Sequence, residues 1–294
     1  MNNSAQKIVP FLWFDHQAEE AANFYTSIFE DSKIEIINRY SEGPMQGKVL
    51  TIVFYLAGQR FMALDGGPHF QFTPAVSFFV NCESIEETDQ LFEQLSAGGS
   101  VLMPLQAYPF SERFAWITDK YGVSWQLNFG ARPQKITPFL MFVGEQHGKA
   151  AQAIDLYVSL FENSSLLEDE RYGPGEDGPQ GTVKRALFSL HGQEFMAIDS
   201  HLDHSFTFSG AISFFVNCEG QQEVDRLWET LTQGGEEQMC GWLVDRFGVT
   251  WQIIPTALID MLTNPDAEKS KRATDAMLKM RKIEIDEIKR VYLG

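Results

Sequence analysis

Cysteine is scarce in this chain. Cys82, Cys218 and Cys240 are the three among 294 residues, and none lies in a Cys-x-x-Cys spacing. That argues against a disulfide framework. Basic residues are also few: 23 Lys and Arg stand against 40 Asp and Glu, for a net charge of −17. Nucleic acid and anionic bilayer surfaces are held by clustered Lys and Arg, so neither is expected as a partner, and the charge reads as serving solubility. No stretch approaches the ~18 uninterrupted apolar residues of a membrane span. The opening MNNSAQK lacks the apolar run of a signal peptide. The expected compartment is the cytoplasm.

What the chain has in quantity is hydrophobic and aromatic residues, 44% and 13%, with 24 Phe. It also repeats itself. GQRFMALD (58–65) returns as GQEFMAID (192–199), and SFFVNCE (77–83) returns unchanged at 213–219. KIVPFLWF (7–14) matches KITPFLMF (135–142), Arg39-Tyr40 matches Arg171-Tyr172, and DKYGVSWQ (119–126) matches DRFGVTWQ (245–252). The period is a whole domain rather than a solenoid repeat. A tandem duplication follows, with domains expected at 1–132 and 133–264 and a helical tail at 265–294.

Within the first domain, residues 7–14 are apolar at nearly every position and predict a strand buried on both faces. Asp15 is the expected cap of a helix whose apolar side is Ala18, Ala21, Ala22, Tyr25, Ile28 and Phe29. Strands follow at 33–40, 48–57 and 60–65, with SEGPMQG as a loop and a hairpin at Ala57-Gly58. A second such unit has a strand at 75–81, a helix at 84–97 and strands at 101–107, 112–118 and 123–129. Asn81 and Asn217 read as helix-start caps. The second domain repeats the course: strand 135–143, helix 147–162, strands 165–172, 182–190, 193–199 and 211–217, helix 220–233, and strands near 241–245 and 249–254. The strand corresponding to 101–107 is mostly deleted there. The fold class is therefore α+β, with four βαβββ modules. In the tail, Ala273, Met277, Met280, Ile285 and Ile288 predict two short helices docked on the protein itself.

The segments KIVPFLWFDHQAEEAANFYTSIF (7–29), GQRFMALDGGPHFQFTPAVSFFVNCE (58–83), DKYGVSWQ and CGWLVDRFGVTWQIIP (240–255) resemble the vicinal oxygen chelate superfamily, the glyoxalase and bleomycin-resistance fold. Within it the match is to the PhnB-like, 3-demethylubiquinone-9 3-methyltransferase-like family. The closing AMLKMRKIEID (276–286) resembles the tail of such proteins. The resemblance implies two tandem domains paired as an intramolecular pseudo-dimer, each sheet curling into a cup. Homodimerisation of the whole chain stays open.

Metal-using members of the superfamily take His from the first strand, His from the strand opening the second module and Glu from the last strand. Here Ile8 to Trp13 contains no His, the fifth strand opens on Ala75-Val76 or Ala211-Ile212, and the Glu position is Gln126 or Gln252. Neutral amides lack the charge that holds a divalent ion. No metal and no cofactor are expected. The six His fall at helix starts, a turn and linking loops; His69 and His204 each precede an F-x-F entry. A Gly-rich strand-turn-helix of the kind that cradles S-adenosylmethionine is missing as well. The cup offers Phe11, Trp13 and Phe139 from first strands, and Ser124, Gln126 and Asn128 (with Gln252) from last strands. Arg39, Tyr40, Trp116, Arg171, Tyr172 and Trp242 are added candidates. Asp65 and Asp199, at strand ends, suit either ligand contact or bonds to turn N–H groups. The expected function is binding of a hydrophobic or aromatic small molecule. A superfamily enzyme and a structural duplicate remain alternatives.

Overall fold

The computed structural model describes residues 6–40 and 45–294, so residues 1–5 and the SEGP part of the predicted loop lie outside the described residues. With the strands numbered along the chain, eight form one sheet in the order β10-β11-β12-β9-β5-β8-β7-β6, β1-β4-β3-β2 lie side by side, and β14-β15-β16-β13 lie side by side. The chain divides into two compact units: Pro10–Ile212, and Ser213–Gly294 together with the N-terminal stretch to Val9.

The larger unit opens with β1 (Ile8–Phe14), α1 (Ala18–Ile28), β2 (Lys33–Arg39), β3 (Val49–Leu56) and β4 (Gln59–Asp65). β1 pairs in parallel with β4, and β2, β3 and β4 form an antiparallel meander. The β3–β4 turn is Ala57 (φ 47°) and Gly58 (φ 73°); two positive φ values are what a two-residue hairpin matching strand twist requires. The next module is β5 (Val76–Cys82), α2 (Ile85–Ser96), β6 (Ser100–Tyr108), β7 (Ser111–Thr118) and β8 (Ser124–Phe129). β9 (Ile136–Phe142), α3 (Ala150–Leu160), β10 (Ser165–Arg171), β11 (Val183–Leu190) and β12 (Gln193–Asp199) complete the unit. β5 and β9 are antiparallel neighbours. The second module of one repeat thus shares a sheet with the first module of the other.

Helix starts depart from the sequence reading. Asp15 does not cap α1; the carboxylate of Asp65 accepts from Ala18 N at 2.8 Å. Asp199 does the same for α3, accepting from Gly148 N and Ala150 N, and its other oxygen takes Val183 N. The helix predicted from 147 begins at Ala150, after a short 3-10 turn at Gly144–Gln146. Asn81 does not cap α2. Ser84 caps the helix, accepting from Glu87 N at 3.0 Å, while Glu87 reaches back to accept from Glu83 N, one residue before the cap, at 2.7 Å. Asn81 instead donates to Gln134 O, and Asn217 to Gln6 O.

Behind the sheet, Trp125 is buried against Tyr25, Phe29 and Phe78. Asp119, 3% exposed, accepts from Tyr25 Oη, Trp125 Nε1, Tyr121 N and Val123 N at 2.7–3.0 Å. Burial raises its pKa against the lowering effect of those bonds. Cys82 is fully buried, and its thiol is pushed up to about 11.

The smaller unit carries β13 (Ile212–Cys218), α4 (Gln221–Leu231), β14 (Glu236–Glu237), β15 (Trp242–Val244) and β16 (Thr250–Pro255). β14 is the two-residue remnant of the strand that is β6 in the other repeat. The tail holds two helices, α6 (Ala267–Met277) and α7 (Ile285–Leu293), as expected, and a short helix that was not expected, α5 (Thr256–Leu262), precedes it. Between α6 and α7 the chain runs along β15, where Cys240 N and Gly241 N donate to Met280 O and Arg281 O at 2.7 Å. Ala273, Met280, Ile283, Ile285 and Ile288 are buried there, while Met277 is half-buried. The tail therefore supplies acceptors on the edge that a full-length strand would have paired. Gly241 (φ 81°) makes room: a Cβ would lie 2.6 Å from Ile254 Cδ1 and 3.1 Å from Ile283 Cγ1.

Candidate functional site

Alternation along SFFVNC divides β5 between two environments. Phe78, Val80 and Cys82 are buried, and Phe78 packs against Trp125. Ser77, Phe79 and Asn81 face the other way. Register brings Gln126 beside Phe79, Trp116 beside Gln126, and Phe139 beside Ser77. At the centre, Gln126 Nε2 donates to Ser77 Oγ at 2.9 Å, and both residues are buried. Trp116 Nε1 donates to Ser124 Oγ at 2.8 Å. Asn128 is half-buried at the end of the same row.

Around this polar centre the face is apolar. Phe139, Met141, Val143, Leu187 and Met196 form a buried cluster, with Phe79, Trp116, Ile198 and Phe206 packed against it. β7 lies three strands from β9 in the sheet order, about 14 Å across a flat sheet. Trp116 reaches the cluster because the sheet curls. The rings of Phe139 and Phe79 are near parallel (16°) at 6.3 Å, and Phe79 leads to Phe114 at 6.3 Å.

The smaller unit builds the same centre. Gln252 Nε2 donates to Ser213 Oγ at 2.9 Å, and Trp242 is the cross-strand neighbour of Gln252. On β1, Phe11 is buried and Trp13 half-buried. Trp13 Nε1 donates to Gly67 O at 2.9 Å, and Phe70 meets the indole edge-on at 5.1 Å. Gly66 permits this approach, since a Cβ there would stand 2.0 Å from the ring.

Four expected site residues lie elsewhere. Arg39 binds Glu19 of α1 through both carboxylate oxygens at 2.8 and 2.9 Å. Arg171 is paired with Asp169, a bond that raises the pKa of the guanidinium. Both arginines also donate to a loop glycine carbonyl, Gly47 O or Gly181 O. Tyr40 and Tyr172 close those same loops through their backbones. A paired Arg-Tyr in each repeat marks a loop neck. Asp65 and Asp199 are spent on N–H groups as described. His204 Nε2 lies 2.8 Å from Ser200 Oγ and beside Phe206, and burial lowers its pKa. Ser77, Phe79, Met141 and Met196 belong to the face but were not singled out by sequence. Period-two alternation from Phe139 reaches Met141, whereas Ser77, Phe79 and Met196 lie on β5 and β12 and are placed by strand register.

The metal implied by the superfamily does not fit these residues. The central donors are an amide, two hydroxyls and an indole, and the amide N–H is engaged with Ser77. Among the described residues no group of three or more His, Cys, Asp or Glu converges. Nor, among those residues, is any helix long and apolar enough to cross a membrane.

A search of curated proteins finds no match. Among solved structures, a PhnB protein from Bacillus cereus described as a 3-demethylubiquinone-9 3-methyltransferase is 52% identical over 42% of this chain and 100% of its own, with a TM-score of 0.41. A Staphylococcus aureus protein is 40% identical over 44% of this chain and 99% of its own, with a TM-score of 0.20. Glyoxalase I from Zea mays is 10% identical but covers 84% of this chain and 91% of its own at a TM-score of 0.54, a likeness of fold. The family model 3-demethylubiquinone-9 3-methyltransferase matches twice, at residues 6–128 and 134–254. The chain belongs to that PhnB-like family of the vicinal oxygen chelate superfamily, as a tandem two-domain member.

Proposed function

We propose that the protein binds a hydrophobic or aromatic small molecule, without a metal, on the curled face shared by β5–β8 and β9–β12. One observation carries this reading: Gln126, where metal-using relatives place a carboxylate, is buried and hydrogen-bonded to Ser77 amid Phe79, Trp116, Phe139 and Met196. An apolar wall with a few fixed polar groups is the usual anatomy of a small-molecule site. The polar centre recurs at Gln252 and Ser213, so the smaller unit retains the same chemistry.

The test has two arms. Protein purified without chelators is assayed for metal and scanned for thermal shifts with Ni²⁺, Zn²⁺, Fe²⁺ and Mn²⁺, because a bound ion must stabilise the fold by mass action. In parallel, naphthalene- and indole-sized aromatics are titrated calorimetrically into the protein and into Phe79→Ala. Expected are no metal shift and a saturable aromatic isotherm weakened in the variant. About one metal per domain with a clear shift would overturn the reading. Saturable S-adenosylmethionine binding would move the case to the methyl transfer named in the family description.

A further inference from the structure

The two repeats keep the same apolar face but differ in polarity on it, at Asn128 against Ile254 and at a pair on the first-module strands. KIVPF becomes KITPF and GQRF becomes GQEF, so Val9 and Arg60 in one repeat correspond to Thr137 and Glu194 in the other. Thr137 stands two residues before Phe139 on β9, and Glu194 two before Met196 on β12. Phe139 and Met196 are direct partners in register. Side chains two apart share a face, so Thr137 and Glu194 look onto the apolar cluster just described.

Both carry a buried oxygen with no hydrogen-bond partner, Thr137 Oγ1 and Glu194 Oε2. Thr137 is 1% exposed. Glu194 Oε2 keeps a long ion pair with Arg132 Nε at 3.5 Å, a guanidinium whose other two nitrogens reach Glu168 at 3.2 Å, so what it lacks is a hydrogen bond. An unmet buried acceptor costs free energy. A threonine where the other repeat has valine carries that cost with no return inside the protein.

We infer that Thr137 Oγ1 and Glu194 Oε2 form an acceptor pole on this face, and that its ligand is an aromatic molecule bearing an N–H or O–H donor. The inference rests on the binding reading above. The ring lies on Phe79 and Phe139, and its donor meets the two oxygens. Glu194, with Glu168 nearby, disfavours a carboxylate or sulfonate substituent.

Matched probes test it: indole against 1-methylindole for N–H, and 2-naphthol against 2-methoxynaphthalene for O–H, each titrated into the full chain. The donor-bearing member of at least one pair is expected to bind about tenfold tighter. Thr137→Val should bring that member down to its methylated partner, and Glu194→Gln should shrink the gap. Equal affinities within both pairs would overturn the pole while leaving the binding reading intact. No binding by any probe would sink both. A melting temperature of Thr137→Val at or above that of the parent is also expected. A fall of several degrees would mean that the hydroxyl already has a partner, and would overturn the pole independently of any ligand.

Discussion

Replacing Asp119 with alanine should be among the most damaging single changes in the larger unit. The side chain is 3% exposed and accepts four hydrogen bonds, from the Tyr25 hydroxyl, the Trp125 indole and the backbone N–H groups of Tyr121 and Val123. Truncation strands four donors in a region walled by Trp125, Tyr25 and Phe78. Each stranded donor costs about 1–3 kcal/mol, but water entering the vacated space and the relief of a desolvated carboxylate offset part of the sum. A loss of about 3–5 kcal/mol is expected, within the range for breaking a buried charged network. Asp119→Asn keeps the volume and one acceptor oxygen. Its NH₂ can donate to the Tyr25 oxygen but confronts the Trp125 N–H, so about 1–3 kcal/mol is lost. Tyr25→Phe removes one bond and leaves Asp119 three, for about 1–2 kcal/mol. Urea unfolding followed by tryptophan fluorescence and far-ultraviolet dichroism gives the three values. The order Ala, then Asn, then Tyr25→Phe is the content of the prediction. An Asp119→Ala protein within about 1 kcal/mol of the parent would refute it, and with it the idea that this carboxylate fixes β8 from behind while Ser124 and Gln126 face the site.

Three more perturbations test the framework. Asp199→Ala should cost more than Asp65→Ala, about 2–3 against about 1 kcal/mol, because Asp199 serves three N–H groups and Asp65 holds Ala18 N; thermal melts of the two variants, one from each repeat, compare them directly. Ile283→Ala, at a fully buried position in the tail, should cost about 2–4 kcal/mol, and hydrogen exchange at Cys240 and Gly241 should accelerate; unchanged exchange would mean that the tail does not hold that edge. Stability should also fall in alkali through the buried thiols. Cys82 and Cys218 are pushed up by burial to about 11 and about 12, so their contribution is complete below the unfolded value near 9 and is lost as pH rises toward the folded values. At pH 10 that amounts to about 1.4 kcal/mol per thiol, and a Cys82→Ala, Cys218→Ala protein should show a shallower decline between pH 8 and 10.

The duplication made the fold legible. Strands and helices that fall at matching places in two copies check each other, and the order of fifteen strands along the chain followed from four readings of one βαβββ pattern, the two-residue β14 being the one not read. Helix starts were misread because the capping groups are remote in sequence: Asp65 lies 47 residues from the N–H it accepts, and no local pattern shows such a pair. The two tail helices were legible, but α5, ahead of the tail, follows β16 without a break, so no turn signal announces it. For the candidate face, Gln126, Ser124, Trp116 and Phe139 were reachable from strand alternation, since a period of two assigns faces whatever the tertiary context. Arg39 and Arg171 were not. Identity between repeats marks any residue that both copies use, and both copies use this one to tie a loop neck. The informative positions were the differences. Thr137 against Val9 and Glu194 against Arg60 are ordinary surface-like exchanges when read as text. They acquire meaning only when β9 and β12 are seen side by side, with two buried oxygens that lack a hydrogen bond on the face that Phe139 and Met196 share. In this duplicated chain, then, the agreement at Gln126 and Gln252 marks the shared polar centre, and the disagreement at buried Thr137 is what the proposed acceptor pole rests on.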